Sequence, residues 1–545
     1  MKILTAQEMG ESDRRSVEMG VPIATLMENA GAAVAKFCLR QYAAEGVVLV
    51  LCGKGNNGGD GFVAAHRLAE AGRLVRVALL GAASDVKGEA AAALERARSL
   101  HVIEVLETQS EDAMHAAFDG VTLVIDAVVG TGFKPPLRGL AVAARELLAK
   151  TTVPVVAVDL PSGWDADSLA QKAEAFRADA VVTFVAPKLA HVFGHLTAGK
   201  TFGPVVVAPI GTPDAAVESQ TGLHWAGAAK ALTETPRDIN GNKGKFGHVL
   251  ILGGAFGKAG APSMASLAAM RSGAGLVTAA IQREILPIVA AVAPELMLEP
   301  LEQEAGGGAG LSLKHLKEAT LAKLLTGIKV VGIGPGLGTS GSTPEFVRGF
   351  VERVTLPMVI DADALNAFAG QTELLGNAVK TSKAAGQSRT IVLTPHPGEM
   401  ARLAGMTVKE VEADRIGLAG RFATGHGVTL VLKGWRTIIA HPDGRIGVNT
   451  TGNPSMAKGG SGDILTGIVA AMLAQHPEDV AQAVEAAVFL HGLAGDFAVL
   501  AQDEHTVLAT DTVGHLWQAF RSRVVDKDGF TWITGGAAHV EKEQG

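Results

Sequence analysis

A chain of 545 residues is too long for one hydrophobic core, so at least two domains are expected. With 48% hydrophobic and 19% charged residues it is not a disordered chain; the balance suits well-buried α/β domains. A formal charge of −7 offers no electrostatic footprint for nucleic acid or an anionic membrane, so an anionic ligand must be held locally by backbone amides and a few cations.

The opening segment, Met1 to Arg15, carries Lys2, Glu8, Glu11 and Asp13, which leaves no room for the apolar core of a signal peptide. No charge-free apolar run reaches bilayer length, and a cytoplasmic protein is expected. Ala6–Met19 and Ile23–Leu39 read as helices. Strands follow at Val47–Leu51, Leu74–Leu80, Val121–Ala127, Val153–Val158, Ala180–Phe184 and Val205–Ala208, with helices at Phe62–Ala71, Lys87–Leu100 and Leu140–Ala149 between them. Apolar runs alternating with helices predict a parallel sheet covered on both faces, a Rossmann-like three-layer α/β domain over residues 1–215. Cys38 and Cys52 fall in a helix and a strand and read as small core residues. No Cys-x-x-Cys or His-Glu-x-x-His run points to zinc.

The rhythm lapses from Thr212 to Arg237, and residues 216–236 are the expected linker. It restarts with strands at His248–Leu252, Leu276–Ile281, Lys329–Ile333, Pro357–Ile360, Thr390–Leu393, Thr429–Leu432 and Thr437–Ala440, a second α/β domain over 237–525. Gly306–Gly308 reads as a loop, and residues 526–545 as a polar tail that frays.

In the first domain, the strand Val47–Leu51 runs into Gly53-Lys54-Gly55-Asn56-Asn57-Gly58-Gly59-Asp60-Gly61 and then a helix. Gly53, Gly55 and Gly58 satisfy G-x-G-x-x-G in the strand–turn–helix setting that places phosphate on a helix N-terminus. The next strand ends Leu79-Leu80-Gly81 without the carboxylate that a dehydrogenase uses to hold ribose, and no Lys-Ser or Lys-Thr pair makes a Walker loop. A dinucleotide could therefore bind, but in another manner. Asp126, Asp159 and Lys188 also follow strands, and with Asp60 they would gather at the carboxyl edge of the sheet; each aspartate alone could simply cap a helix.

With Leu26-Met27-Glu28-Asn29-Ala30-Gly31 and Asp159-Leu160-Pro161-Ser162-Gly163 added, this half resembles the NAD(P)H-hydrate epimerase family along its length. The resemblance implies that Asn56, Asn57, Gly58, Gly59 and Asp60, with Gly130, Thr131, Gly132, Phe133, Lys134, Pro135 and Pro136, embrace hydrated NADH or NADPH. It further implies that Asn57, Asp126 and Ser162 hold a potassium ion and that Asp159 meets the hydrated ring as the catalytic proton-transfer group. A carboxyl of raised pKa could make both proton transfers.

In the second domain, Asn449-Thr450-Thr451-Gly452-Asn453-Pro454 leads through Lys458-Gly459-Gly460-Ser461-Gly462-Asp463 into the apolar helix Ile464–Ala474. Free backbone amides there would make an anion hole for a migrating phosphoryl group, and Asp463 could accept a proton from an attacking hydroxyl. Ribokinase-like sugar and vitamin kinases share this Gly-x-Gly-Asp start, so a small-molecule kinase fused to a dinucleotide-binding or interaction module is the alternative. The ordered set Gly253–Pro262, Gly334–Gly338, Asp361–Asn366, Thr394–Glu399 and Lys433–Thr437 resembles the ADP- or ATP-dependent NAD(P)H-hydrate dehydratases, with Ala255 where many members carry serine. That resemblance implies a ribokinase-like fold, contacts from Ala261, Gly336, His396 and Asp463 to the hydrate, and catalysis by Asp463. Lys433, Gly434, Trp435, Arg436, Thr437 and Gly462 would hold the adenine nucleotide, ADP or ATP, with Glu399 a candidate support for magnesium. The resemblances together imply repair of both hydrate epimers: epimerisation first, then dehydration of the S hydrate. A homo-oligomer is expected, with no nucleic-acid or membrane partner.

Overall fold

The computed structural model describes residues 1–43, 45–169, 174–194, 203–303, 310–386 and 388–544. The loop expected at Gly306–Gly308 lies outside them. The chain divides into two compact units, Met1–Leu223 with Val524–Gly536, and His224–Arg523 with Ala537–Gly545.

The first unit is built on an eight-stranded sheet in the order Thr531–Trp532, Val205–Ala208, Ala180–Phe184, Val155–Val158, Val121–Ala127, Val47–Cys52, Leu74–Leu80, Ile103–Thr108. All pairings are parallel except the first, which is antiparallel. Successive side chains of a strand point to opposite faces, and here both faces are covered. Val48, Val50 and Cys52 join one buried cluster, while Leu49 and Leu51 join another. The chain turns one way from Val47–Cys52 to Leu74–Leu80, and the other way through Val121–Ala127. The crevice between those two exits is the topological switch point where ligands of open α/β sheets bind.

Glycines let the backbone close up at that point. A Cβ on Gly53 would lie 2.0 Å from Val128 O, and one on Gly58 1.9 Å from Gly53 O. Gly61 seats the helix Asn56–Glu70 on the sheet, since a Cβ there would come 2.6 Å from the Ala127 Cβ.

The second unit carries a ten-stranded sheet ordered Met297–Leu301, Leu276–Gln282, His248–Leu252, Val330–Ile333, Met358–Ile360, Ile391–Leu393, Thr429–Leu432, Ile438–Ala440, Ile446–Val448, Leu223–Trp225. Its switch point falls between His248–Leu252 and Val330–Ile333, which pair in parallel. The helices Ser461–Gln475 and Val480–Ala501 are buried on nearly every side. Among the described residues Val480–Ala501 is long and apolar enough to cross a membrane, yet 78% of its apolar window is buried inside the protein, and Glu485 and Asp496 interrupt it.

Among the described residues five strands lay outside the sequence expectations: Ile103–Thr108, Leu223–Trp225, Met297–Leu301, Ile446–Val448 and Thr531–Trp532. Ile103–Thr108 and Met297–Leu301 are edge strands, half-polar or carrying Pro300, and so lack the continuous apolar run of a central strand. The linker expected at 216–236 is largely folded. Trp225 is buried, donates from Nε1 to Thr450 Oγ1 at 2.8 Å and meets Phe489 edge-on at 5.7 Å. Lys230 is buried on Ala226–Thr233 and donates to the carbonyls of Phe520 and Ser522. Its polar, alanine-rich composition disguised a segment whose few large groups all find partners.

The tail expected beyond Asp526 does not fray at its start. Thr531 and Trp532 pair antiparallel with Val207 and Val206, and Phe37 meets Phe530 at 5.9 Å and Trp532 at 6.2 Å. Gly536–Gln544 is a helix. The first unit is therefore discontinuous in sequence. A chain ended after Arg523 should lose its edge strand, and Trp532→Ala should cost the first unit about 3–5 kcal/mol by emptying a buried aromatic site. Urea unfolding followed on the full-length protein checks this; an unfolding curve unchanged by Trp532→Ala contradicts it.

Candidate active sites

In the first unit a cavity of ≈ 870 Å³ opens at the switch point. Asn56, Asn57, Asp60, Gly130, Thr131, Gly132, Phe133, Asp159 and Lys188 line it. Asp159 follows the strand Val155–Val158 with φ of 65°, a left-handed conformation that a non-glycine residue holds only when its surroundings compel it. Here they do. Oδ1 accepts from Lys188 Nζ and from Thr183 Oγ1, both at 2.9 Å; Oδ2 accepts from the Thr131 amide at 2.9 Å and from the Thr131 hydroxyl. The Asp159 carbonyl accepts from His191 Nε2 at 2.7 Å, the tautomer set by Nδ1 accepting from the Lys188 amide. Lys188 Nζ also donates to Thr183 Oγ1 and the Phe184 carbonyl, which completes the satisfaction of a buried ammonium.

Burial alone would push the Asp159 carboxyl up, but Lys188, His191 and the Thr131 bonds prevail and hold it well below the usual carboxylate range. The expectation of a raised pKa at Asp159 is corrected: this carboxylate stays ionised. Burial drops His191 to about 4, leaving it neutral.

Asp126 belongs beneath the cavity, not on its wall. It is fully buried, accepting at Oδ2 from the Ser162 amide at 2.7 Å and at Oδ1 from the Ser162 hydroxyl at 2.6 Å. Burial pushes it up to about 6, with the Ser162 and Val128 bonds opposing. Ser162 Oγ accepts from the Val129 amide at 3.0 Å, and Asn57 Oδ1 lies 2.8 Å from where a Cβ on Gly130 would stand. Asn57, Asp126 and Ser162 thus surround one short stretch of backbone. The Asn57 amide nitrogen is buried without a hydrogen-bond partner. Gly58 and Gly59 serve close packing, against Gly53 and Met27, and do not line the cavity. Neither do Lys134, Pro135 or Pro136; Lys134 turns outward to Asp165 and Asp167.

In the second unit a cavity of ≈ 690 Å³ is lined by Lys433 to Thr437, His396, Glu399, Asp361, Asn449 and the segment Gly460 to Asp463. Gly460, at φ of 98°, turns the chain into the helix Ser461–Gln475, whose first amides have no side-chain cap, the arrangement that suits an anion. Lys433 Nζ lies 3.0 Å from Asp361 Oδ1 and 3.8 Å from Glu399 Oε2, while Asp361 Oδ2 accepts from Thr466 Oγ1 at 2.7 Å. Burial works against the Lys433 charge, but Asp361 and Glu399 outweigh it and raise its pKa. Asp463 is pushed up to about 7, by burial first and by Asp361, with Lys433 opposing and Asp363 and Glu399 adding.

Glu399 lines the cavity and is engaged by its neighbour. Its Oε2 accepts from the His396 amide at 2.8 Å, and its Oε1 lies 3.4 Å from His396 Nε2. Trp435 is partly exposed with the Arg436 guanidinium 4.1 Å over its ring, and Arg436 Nη1 donates to the Thr450 carbonyl at 2.6 Å. Ala261 and Gly336 pack on one another, a Cβ on Gly336 falling 2.9 Å from the Ala261 Cβ, and do not line this cavity.

Thr183, His191 and Asp13 escaped sequence reading. Thr183 is a lone hydroxyl inside the apolar strand Ala180–Phe184, a detectable signal. Asp13 looks like any acid on a surface helix, and only the packing of Ala6–Glu18 brings it to the cavity.

Among solved structures, the ADP/ATP-dependent NAD(P)H-hydrate dehydratase of Bacillus subtilis, co-crystallised with ATP/Mg2+, is 32% identical, covering 56% of this chain and 100% of that chain at a TM-score of 0.46. Residues 249–519 match the family described as NAD(P)H-hydrate dehydratase, and residues 23–190 match the one described as YjeF-related protein N-terminus. The bifunctional NAD(P)H-hydrate repair enzyme Nnr of Moorella thermoacetica is 39% identical over 531 residues, 96% of this chain and 97% of that protein. The Escherichia coli protein of the same name is 34% identical over 533 residues, 96% of this chain and 95% of the relative. Similarity at this level across both units shows that the chain belongs to the family of bifunctional NAD(P)H-hydrate repair enzymes.

Proposed function

We propose that the first cavity inverts the hydrated carbon of NADH or NADPH hydrates and that the second dehydrates the S epimer with ADP or ATP. The observation that carries this reading is Asp463, at the uncapped start of Ser461–Gln475 and pushed up to about 7 beside the Lys433–Asp361 pair. A base there takes the proton from the carbon-six hydroxyl as its oxygen attacks the terminal phosphoryl group, while the helix amides stabilise the developing charge. The ring nitrogen lone pair then expels phosphate from carbon six, and loss of a carbon-five proton restores the dihydronicotinamide. Trp435 and Arg436 offer a flat face for the adenine ring, and Lys433 lies where the phosphates would end.

Magnesium would neutralise phosphate charge. Among the described residues no group of three or more His, Cys, Asp or Glu is arranged to hold a metal, so the ion would come with the nucleotide and keep much of its water. Potassium fits the first unit. Asp126 is a buried carboxylate whose protein donors are all neutral, and oxygens of Ser162 and Asn57 lie on the same backbone stretch. A monovalent cation there would supply the missing counter-charge and stiffen the loop that carries Gly130 and Thr131.

Asp463→Asn should lower dehydration by ~10²–10⁴ while epimerisation continues, the usual cost of losing a general base. Because the ionised form is active, kcat/KM for dehydration should rise with pH through about 7 and fall below it. Recovery of reduced-nicotinamide absorbance from the S hydrate reads both; near-normal recovery by the variant removes Asp463 from the reaction. Lys433→Ala should chiefly raise the KM for the adenine nucleotide, and an unchanged nucleotide dependence moves that segment off the site.

Asp159→Ala should give a biphasic course on mixed hydrates: a fast phase of normal size, then a tail set by spontaneous epimerisation. A hydroxyl on the wrong ring face points away from Asp463 and cannot reach an attack geometry. If this variant repairs both epimers at the wild-type rate, either Asp159 takes no part in epimerisation or the first cavity is not the epimerase site.

A further inference from the structure

Inverting carbon six requires a proton for the departing hydroxyl and a place for the proton of the water that returns. Asp159 is poorly suited to either task. Its oxygens are engaged by Lys188, Thr183 and Thr131, and the carboxyl is held well below the usual range by Lys188, His191 and Thr131 against the effect of burial. The other titratable groups lining the cavity are Asp13, Asp60, Lys54, Arg138 and Lys188. Arginine does not release its proton. Lys188 is spent on Asp159, and Lys54 Nζ pairs with Asp85 at 2.6 Å.

Asp13 and Asp60 remain, from the helices Ala6–Glu18 and Asn56–Glu70. Neither carboxyl makes a hydrogen bond or ion pair among the described residues, whereas Asp159 has four donors. They differ in what faces them. Asp60 is raised well above its ordinary value by burial and by both Asp159 and Asp13. Asp13 is raised by burial, lowered by Lys188 and raised by Asp159, and it settles at about 6. A group that must release and regain a proton in each turnover works best near the operating pH.

We propose that Asp13 is the catalytic acid–base of the epimerase cavity, protonating the carbon-six hydroxyl as it leaves and recovering that proton from the water that adds to the opposite face. In the step, the carbon–oxygen bond breaks with both electrons on oxygen, the Asp13 proton completes a water, and the ring nitrogen lone pair makes a nitrogen–carbon double bond. Ionised Asp159 stabilises the resulting cation. Water then adds to the other face, its extra proton passes to Asp13, and the site is reset without a further reactant. The proposal rests on reading this cavity as the epimerase site.

The test uses the full-length protein given the R hydrate, with its own dehydration of the S product as the readout and excess second-unit activity confirmed on pure S hydrate. Asp13→Asn should lower the kcat of epimerisation by ~10²–10⁴ with KM little changed, and leave S-hydrate dehydration and the thermal unfolding midpoint as in the wild type. Since the protonated form starts the reaction, wild-type kcat/KM should fall as pH rises through about 6. That limb should vanish in Asp13→Asn and persist in Asp13→Glu. Wild-type epimerisation with the limb intact in Asp13→Asn, or a loss confined to KM, overturns the assignment. If Asp159→Ala abolishes epimerisation while Asp13→Asn does not, only Asp13 falls; if neither variant has an effect, the reading of the cavity falls with it.

Discussion

A lysine ammonium paired with one buried carboxylate organises each active cavity. In the first unit the pair is Lys188 and Asp159 at 2.9 Å; in the second it is Lys433 and Asp361 at 3.0 Å. Taking both charges out of water is costly unless hydrogen bonds satisfy what the pair leaves over. Thr183, Thr131 and the Phe184 carbonyl do so in the first case; in the second Thr466 donates to Asp361, and Glu399 adds a second negative charge 3.8 Å from Lys433. The consequence extends to the next carboxylate along. Once the lysine has committed to one partner, Asp13 or Asp463 is left with burial and a neighbouring negative charge, and its pKa rises toward neutrality. One fixed pair thus prepares a second group for proton transfer.

The pairs can be built because the strands that carry them run parallel, so their carboxyl ends open on one edge of each sheet. The groups following Val155–Val158 and Ala180–Phe184 meet in the first unit, and those following Met358–Ile360 and Thr429–Leu432 in the second, although they are far apart in sequence. Glycine sets the spacing. Gly53, Gly58 and Gly61 permit contacts that no side chain would survive, and the helix Asn56–Glu70 consequently starts close enough to the sheet edge to offer free amides and Asp60 to the cavity. In the second unit Gly460 bends the chain so that the helix begins at Ser461 and points its N-terminus at the Lys433–Asp361 pair.

The sequence by itself determined the two α/β units, most of their central strands, and the glycine-rich loops that mark the ligand edge. Those features arise from local causes: apolar periodicity, β-branched runs and turn chemistry act over a few residues and leave their trace in composition. It also brought Asp159, Lys188 and Asp463 forward, because each follows a strand or opens a helix, and Lys433 through the resemblance of its segment to the dehydratases. Tertiary structure alone decided their protonation. Nothing in the segment around Asp159 announces an ionised group, since that state depends on Lys188, 29 residues on, and on how deeply both are buried. The same holds for Asp13, whose helix looks ordinary until it packs beside the cavity, and for Phe530 and Trp532, whose polar surroundings conceal an edge strand that pairs with Val206 and Val207. Secondary structure answers to neighbours in sequence, whereas pKa and edge pairing answer to neighbours in space.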